Sequence, residues 1–118
     1  IAAGSYFSLG ERVASLLSSK YGITPTLINP RYLTGIDKCV LNSLKENHKV
    51  IATLEDGVLD GGFGEKISRF FAPTDMRVLN FGAKKEFVDR YNIKELLRAN
   101  HLTDEIIVED IINCLRSC

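Results

Sequence analysis

The segment from Lys49 to Phe71 constrains this chain more than any other. Val50-Ile51-Ala52-Thr53-Leu54 is nearly continuous in apolar and β-branched residues, the pattern of a strand covered on both faces. Glu55 and Asp56 stand at its carboxyl end, and after Gly57-Val58-Leu59-Asp60 comes the glycine turn Gly61-Gly62-Phe63-Gly64. Phe63, Ile67, Phe70 and Phe71 then fall on one helical stripe. A buried strand that turns through glycines into an amphipathic helix is half of a β-α-β unit. The rest of the chain must therefore supply a parallel sheet and the helices that cover it.

It has the means to do so. Ser8-Leu9-Gly10-Glu11 is a capping box, followed by Leu9, Val13, Leu16 and Leu17 on one stripe and closed by Gly22. Ile23 to Asn29 reads as a short strand, with Pro25 near its start and Pro30 after it. Thr34-Gly35-Ile36-Asp37 opens a second helix with Ile36, Val40, Leu41 and Leu44 inward. Met76 to Phe81 reads as a strand ended by Gly82. Asn92 caps a short helix with Ile93, Leu96 and Leu97 inward, which Asn100-His101-Leu102 breaks. Thr103 caps the last helix, whose apolar face is Val108, Ile111, Ile112 and Leu115. With the stub Ile1–Ala3 these make four strands. The fold class is α/β, a three-layer α/β/α arrangement over residues 1–118 as a single domain.

Composition removes several function classes. Lys plus Arg and Asp plus Glu both number 15, which argues against nucleic acid or an anionic membrane as partner. No apolar run reaches the ~18 residues of a spanning helix. Cys39, Cys114 and Cys118 match no disulfide framework and contain no C-x-x-C, favouring a reducing, cytoplasmic setting. Metal ligation is not expected, because His48 and His101 are isolated in sequence. The opening Ile1-Ala2-Ala3-Gly4-Ser5 reads as the tail of a strand, as in a piece of a longer protein.

The glycine turn raises the question of a phosphate site. It contains neither G-x-x-x-x-G-K-[ST] nor G-x-G-x-x-G, and Glu65 follows Gly64 directly. A packing turn is the better reading, with positive φ, assigned to Gly62, and close helix approach as its purpose. Glu55 and Asp56 alternate across the strand, so they are not expected to share a proton. Glu55 is left as a helix cap, an ion-pair partner or a subunit contact. His48 and His101 sit at helix ends without a carboxylate or serine partner in any motif, and Arg31, Lys84, Lys85 and Arg90 read as solvated surface. No catalytic, cofactor-binding or metal-binding residue is assigned. Glu55, Asp56, Gly57, Gly61, Gly62 and Gly64 are the structural or interface candidates.

Taken in order, Gly4-Ser5, Ile28-Asn29-Pro30-Arg31, Ile36-Asp37, Thr53-Leu54-Glu55-Asp56, Gly61-Gly62-Phe63-Gly64 and Val78-Leu79-Asn80-Phe81-Gly82 resemble the C-terminal domain of transketolase-like, thiamine-diphosphate-dependent enzymes. The T-x-E-[ED]-G-x-x-x-G-G-x-G segment is the most specific part. Within that group the Leu54–Gly64 stretch, with Phe87 beyond, is most similar to the 1-deoxy-D-xylulose-5-phosphate synthase branch. Transketolase and the beta subunits of 2-oxo-acid dehydrogenases are the alternatives, and a free-standing small-ligand or phosphate-binding module is the alternative from another class. The chain departs from the pattern in loops. The family's Gly-Leu-Asp after the late helix, for instance, becomes His101-Leu102-Thr103 here.

The resemblance implies a mixed, mostly parallel sheet of about five strands. It implies thiamine diphosphate and magnesium in two upstream domains of the same chain, and a homodimer in the full enzyme. That enzyme would join pyruvate, with loss of carbon dioxide, to glyceraldehyde 3-phosphate, feeding isoprenoid, thiamine and pyridoxal synthesis. The present domain would be noncatalytic, serving packing and dimer support, and inactive alone.

Overall fold

The computed structural model describes residues 1–30, 35–83 and 93–117. Helix α1 (Phe7–Tyr21) and helix α2 (Lys38–Leu44) precede strand β1 (Val50–Val58); helix α3 (Phe63–Phe71), strand β2 (Arg77–Ala83), helix α4 (Ile93–Ala99) and helix α5 (Asp104–Arg116) follow. β1 and β2 pair in parallel, Val50 opposite Arg77 through Leu54 opposite Phe81, with a register shift before Val58 meets Ala83. A single parallel bridge joins Ala2 to Leu54 on the other side of β1.

Alternation along the strands divides the interior. Ala52, Leu54, Leu79 and Phe81 face α1 and α5, where Leu9, Val13, Leu17, Ile107, Val108, Ile111 and Ile112 are buried around them. Ile51 and Val78 face the other way, onto Leu41 and Leu44 of α2 and Phe63, Ile67 and Phe71 of α3. Helices on both faces of a parallel sheet make the three-layer α/β/α fold.

The segment Ile23–Asn29 forms no ladder. It touches the sheet through one backbone bond, Ala2 N to Ile28 O at 3.0 Å, and the stub itself donates from Ala3 N to Leu54 O at 2.8 Å. Pro30, which has no N–H to donate, follows the segment directly. The regular sheet of the described residues is therefore two strands plus a bridge, rather than four strands. β2 also continues through Gly82 to Ala83 instead of stopping before it.

The capping box at Ser8 is not used. A 3-10 turn over Gly4–Tyr6 leads directly into α1, so Ser8 lies inside the helix and the N-cap, Tyr6, makes no side-chain cap bond. The turn satisfies an early donor by backbone instead, Tyr6 N to Ala3 O at 3.2 Å. Gly22 ends α1 in the left-handed region at φ 65°.

α2 is capped by Asp37, whose Oδ1 accepts from Val40 N at 3.1 Å; Val40 itself is exposed, not inward. Thr103 caps α5, accepting from Ile106 N at 3.4 Å, and Ile107 joins the core with no exposure at all. Leu96 and Leu97 of α4 are half-buried. The expected roles of Thr34 and Asn92, the surface patch of Arg31, Lys84, Lys85 and Arg90, the side chain of Ile93, and Phe87 and Cys118 fall outside the described residues.

Candidate functional site

The acid pair and the glycine turn meet at the carboxyl end of β1. The strand's alternation continues through them. Thr53 and Glu55 point toward α3, whereas Asp56 points toward the start of α1.

Glu55 is buried, at 5% exposure. Its Oε2 accepts from the backbone N–H of Gly64 at 2.7 Å. That N–H is one of the donors left open at the start of α3, and the positive end of the helix favours the carboxylate there. Oε1 of Glu55 is also buried and has no hydrogen-bond partner among the described residues. Glu65, in the first turn of α3, reaches back with Oε2 to accept from Gly61 N at 2.9 Å. Two carboxylates thus hold the N–H groups that a phosphate would use. The turn does not fit a phosphate or diphosphate.

Beneath α3 runs a polar chain. Thr53 Oγ1 donates to Asn80 Oδ1 at 2.7 Å, and Asn80 Nδ2 donates to Ser68 Oγ at 2.7 Å. It ties β1, β2 and α3 together. The helix can lie this close only because of its glycines. A Cβ on Gly64 would come within 2.7 Å of both Asn80 Oδ1 and Thr53 Oγ1. A Cβ on Gly62 would collide with Glu55 Oε1. Gly62 is not in the left-handed region, having φ −80°. That role belongs to Gly61 at φ 72°. The positive-φ assignment to Gly62 is thus corrected, and its requirement for glycine is one of space. A Cβ on Gly57 would meet nothing within 4 Å.

Asp56 is exposed and accepts from Ser5 Oγ at 2.8 Å, joining the end of β1 to the turn before α1. Nearby, the Tyr6 phenol is pushed above its ordinary pKa by burial and then by the negative charge of Asp56. Glu55 and Asp56 therefore serve different helices on different faces and do not form a dyad. Among the described residues no three His, Cys, Asp or Glu side chains group as a metal site.

Three relationships here were not visible in the sequence: Asn80 as the hub of the polar chain, Ser68 as its end, and a carboxylate partner for a histidine. His101 Nδ1 lies 2.7 Å from Asp110 Oδ2, contrary to the expectation of an isolated ring. His48 places Nδ1 3.1 Å from Leu44 O and Nε2 3.0 Å from Thr26 Oγ1. An asparagine in the middle of an otherwise apolar strand was the one available signal for the first of these.

Residues 1–107 match the family model described as "Transketolase, C-terminal domain". The chain belongs to the transketolase C-terminal-domain family. Three curated relatives are described as 1-deoxy-D-xylulose-5-phosphate synthase. The protein of Leifsonia xyli subsp. xyli is 32% identical over 114 residues, covering 95% of this chain and 17% of its own length. That of Lachnoclostridium phytofermentans is 35% identical over 117 residues, covering 94% and 18%. That of Clostridium tetani is 33% identical over 91 residues, covering 75% and 15%. The chain therefore spans less than a fifth of these relatives. A solved structure described as "Split gene transketolase, inactive beta4 tetramer" superposes with a TM-score of 0.81 at 21% identity, covering 98% of this chain and 37% of its own. It bears on the fold alone. The family's glycine turn is, in this member, a packing device closed by its own glutamates.

Proposed function

We propose that the chain is the noncatalytic C-terminal domain of a 1-deoxy-D-xylulose-5-phosphate synthase, a single folded unit over residues 1–118. In this reading the full enzyme is a cytoplasmic homodimer. Thiamine diphosphate and magnesium are held by upstream domains of the same polypeptide, and pyruvate is decarboxylated and joined to glyceraldehyde 3-phosphate. The domain contributes packing and dimer support. The similarity to synthases over 95% of the chain supports the branch. The observation that carries the noncatalytic role is Glu55 on Gly64 N, because the anion-binding end of α3 is already filled from within. The exposed end of β1, Asp56 to Val58, is the surface offered to a neighbouring domain or subunit.

The test compares the 118-residue chain with the full polypeptide. Both receive thiamine diphosphate, magnesium, pyruvate and glyceraldehyde 3-phosphate, and carbon dioxide release is followed. Turnover by the full polypeptide alone is expected. Turnover by the short chain, or tight calorimetric binding of thiamine diphosphate to it, overturns the noncatalytic reading. Ketol transfer without decarboxylation by the full polypeptide overturns the synthase branch.

A further inference from the structure

A second polar constellation lies away from the glycine turn, in the cleft between the end of β2 and the α4–α5 connection. His101 is the single non-glycine residue with positive φ among the described residues, at 56°. A side chain in the left-handed region is disfavoured relative to glycine. The position follows α4 as a left-handed helix end, with Leu102 N donating to Leu97 O at 2.7 Å, a place that glycine fills without strain. Here the backbone holds an imidazole instead, and the ring is fixed by Asp110 of α5 at 2.7 Å.

The Asp110 carboxylate orients the ring. With Nδ1 turned to the carboxylate, Nε2 is the nitrogen left to the cleft, and as the neutral tautomer it is an acceptor. Asp110 keeps a second carboxylate oxygen. Asn113, one helical turn further along α5, is exposed and also lines the cleft. Leu59 and Leu79 form an apolar wall, and the space is about 400 Å³. That volume lies in the range of small-molecule sites. The cleft also sits at the carboxyl end of a parallel strand, where α/β folds place ligands.

The lining decides the ligand class. It presents acceptors on His101, Asp110 and Asn113; of its three asparagines, Asn80 and Asn100 already donate their side-chain amides, to Ser68 Oγ and Leu96 O, and among the described residues it holds no Lys or Arg. Among these described residues an anion would meet the Asp110 carboxylate with no Lys or Arg beside it. A molecule that brings neighbouring O–H donors satisfies the acceptors directly. The geometry points to a binding site for a small neutral polyhydroxylated molecule, one carrying a vicinal diol, held by His101, Asp110 and Asn113. This site is independent of the synthase reading and stands or falls separately from it.

The experiment follows the His101 ring nitrogens and the Asn113 side-chain amide by ¹⁵N NMR while D-ribose, glycerol or inorganic phosphate is added. A saturable shift with D-ribose is expected in the millimolar range, smaller with glycerol and absent with phosphate. D110N and N113A should each weaken D-ribose binding by about tenfold, the loss of one charge-assisted or neutral hydrogen bond. H101G removes the imidazole and relieves the positive φ, so it folds and should lose the Asn113 response. No saturable shift up to about 100 mM D-ribose, an affinity below any useful site, overturns the proposal. An undiminished Asn113 response in H101G also overturns it. A larger shift with phosphate than with ribose overturns the ligand class.

Discussion

The two faces of this small sheet are built by opposite means. Toward α1 and α5, Ala52, Leu54, Leu79 and Phe81 pack into an aliphatic and aromatic core. Toward α3, the same two strands place buried Thr53 and Glu55 and half-buried Asn80 beneath a helix that begins Gly62-Phe63-Gly64. The apolar face has its own close approach, at Gly10 of α1, where a Cβ would stand 2.7 Å from Ala2 Cβ, but dispersion and burial need contact and no particular atoms. The polar face brings a backbone N–H to a carboxylate and a hydroxyl to an amide, and those bonds form only at fixed short distances. Glycine is required on both faces, for close contact at Gly10 of α1 and for hydrogen-bond distance at Gly62 and Gly64. Substitutions that act on one face and not the other can test this contrast.

The largest effect belongs to the apolar face. Ile107 is fully buried between α1 and the sheet. Ile107→Ala is expected to lose about 3–4 kcal/mol of stability through lost burial and a cavity, read by urea denaturation with an unchanged slope. A loss under about 1 kcal/mol would mean that this face relaxes freely, contrary to close packing.

The next is Gly64→Ala. Its new Cβ would sit 2.7 Å from Asn80 Oδ1 and Thr53 Oγ1, neither of which has room to withdraw without breaking the polar chain. Overpacking of this kind costs about 1–3 kcal/mol, and loss of the Gly64–Glu55 bond adds to it. The expected total is about 3 kcal/mol. Stability equal to the parent would show that α3 can move outward and that the polar face is not fixed by its bonds.

How much of this was legible beforehand differs between the faces for a physical reason. The elements α1, β1, α3 and α5 declare themselves by apolar periodicity, a local property. The opposed directions of Glu55 and Asp56 follow from alternation, also local. The partners do not. Asn80 is 27 residues from Thr53, and Asp110 is nine from His101 across a turn. Nothing in the spacing brings either pair together. Ser8 misled because a capping box is defined by four residues and takes no account of a 3-10 turn just ahead of it. Ile23–Asn29 misled because extended backbone is a property of the segment, whereas a ladder needs a series of bonds to a neighbouring strand, and this segment makes one, from Ala2 N to Ile28 O.

A smaller effect separates hydrogen bonding from shape on the polar face. Thr53→Val keeps the volume and removes the hydroxyl, leaving Asn80 Oδ1 without its donor in a half-buried setting. A loss of about 1–2 kcal/mol is expected, roughly half that of Gly64→Ala. If Thr53→Val is neutral, the polar chain is incidental and the glycines answer to helix approach alone.

The smallest effect is also the sharpest, because it divides two glycines four residues apart, Gly57 near the end of β1 and Gly61 in the turn after it. Gly61 is at φ 72° and Gly57 is not in that region, while a Cβ on either would meet nothing within 4 Å. Sterics therefore predict no difference between Gly61→Ala and Gly57→Ala, and backbone strain predicts one. Left-handed backbone costs a residue with a Cβ about 1–2 kcal/mol, offset in part by about 0.4–1 kcal/mol from the lower entropy of the unfolded chain. Gly57→Ala keeps only the second term. Gly61→Ala should therefore destabilise by about 1 kcal/mol, and Gly57→Ala should raise stability by about 0.4–1 kcal/mol. Equal thermal midpoints for the two would mean that the turn adjusts its backbone. Glu65 could then not depend on the Gly61 N–H being held at 2.9 Å. A clear difference would assign each glycine its own reason: conformation at Gly61, space at Gly62 and Gly64, and neither at Gly57.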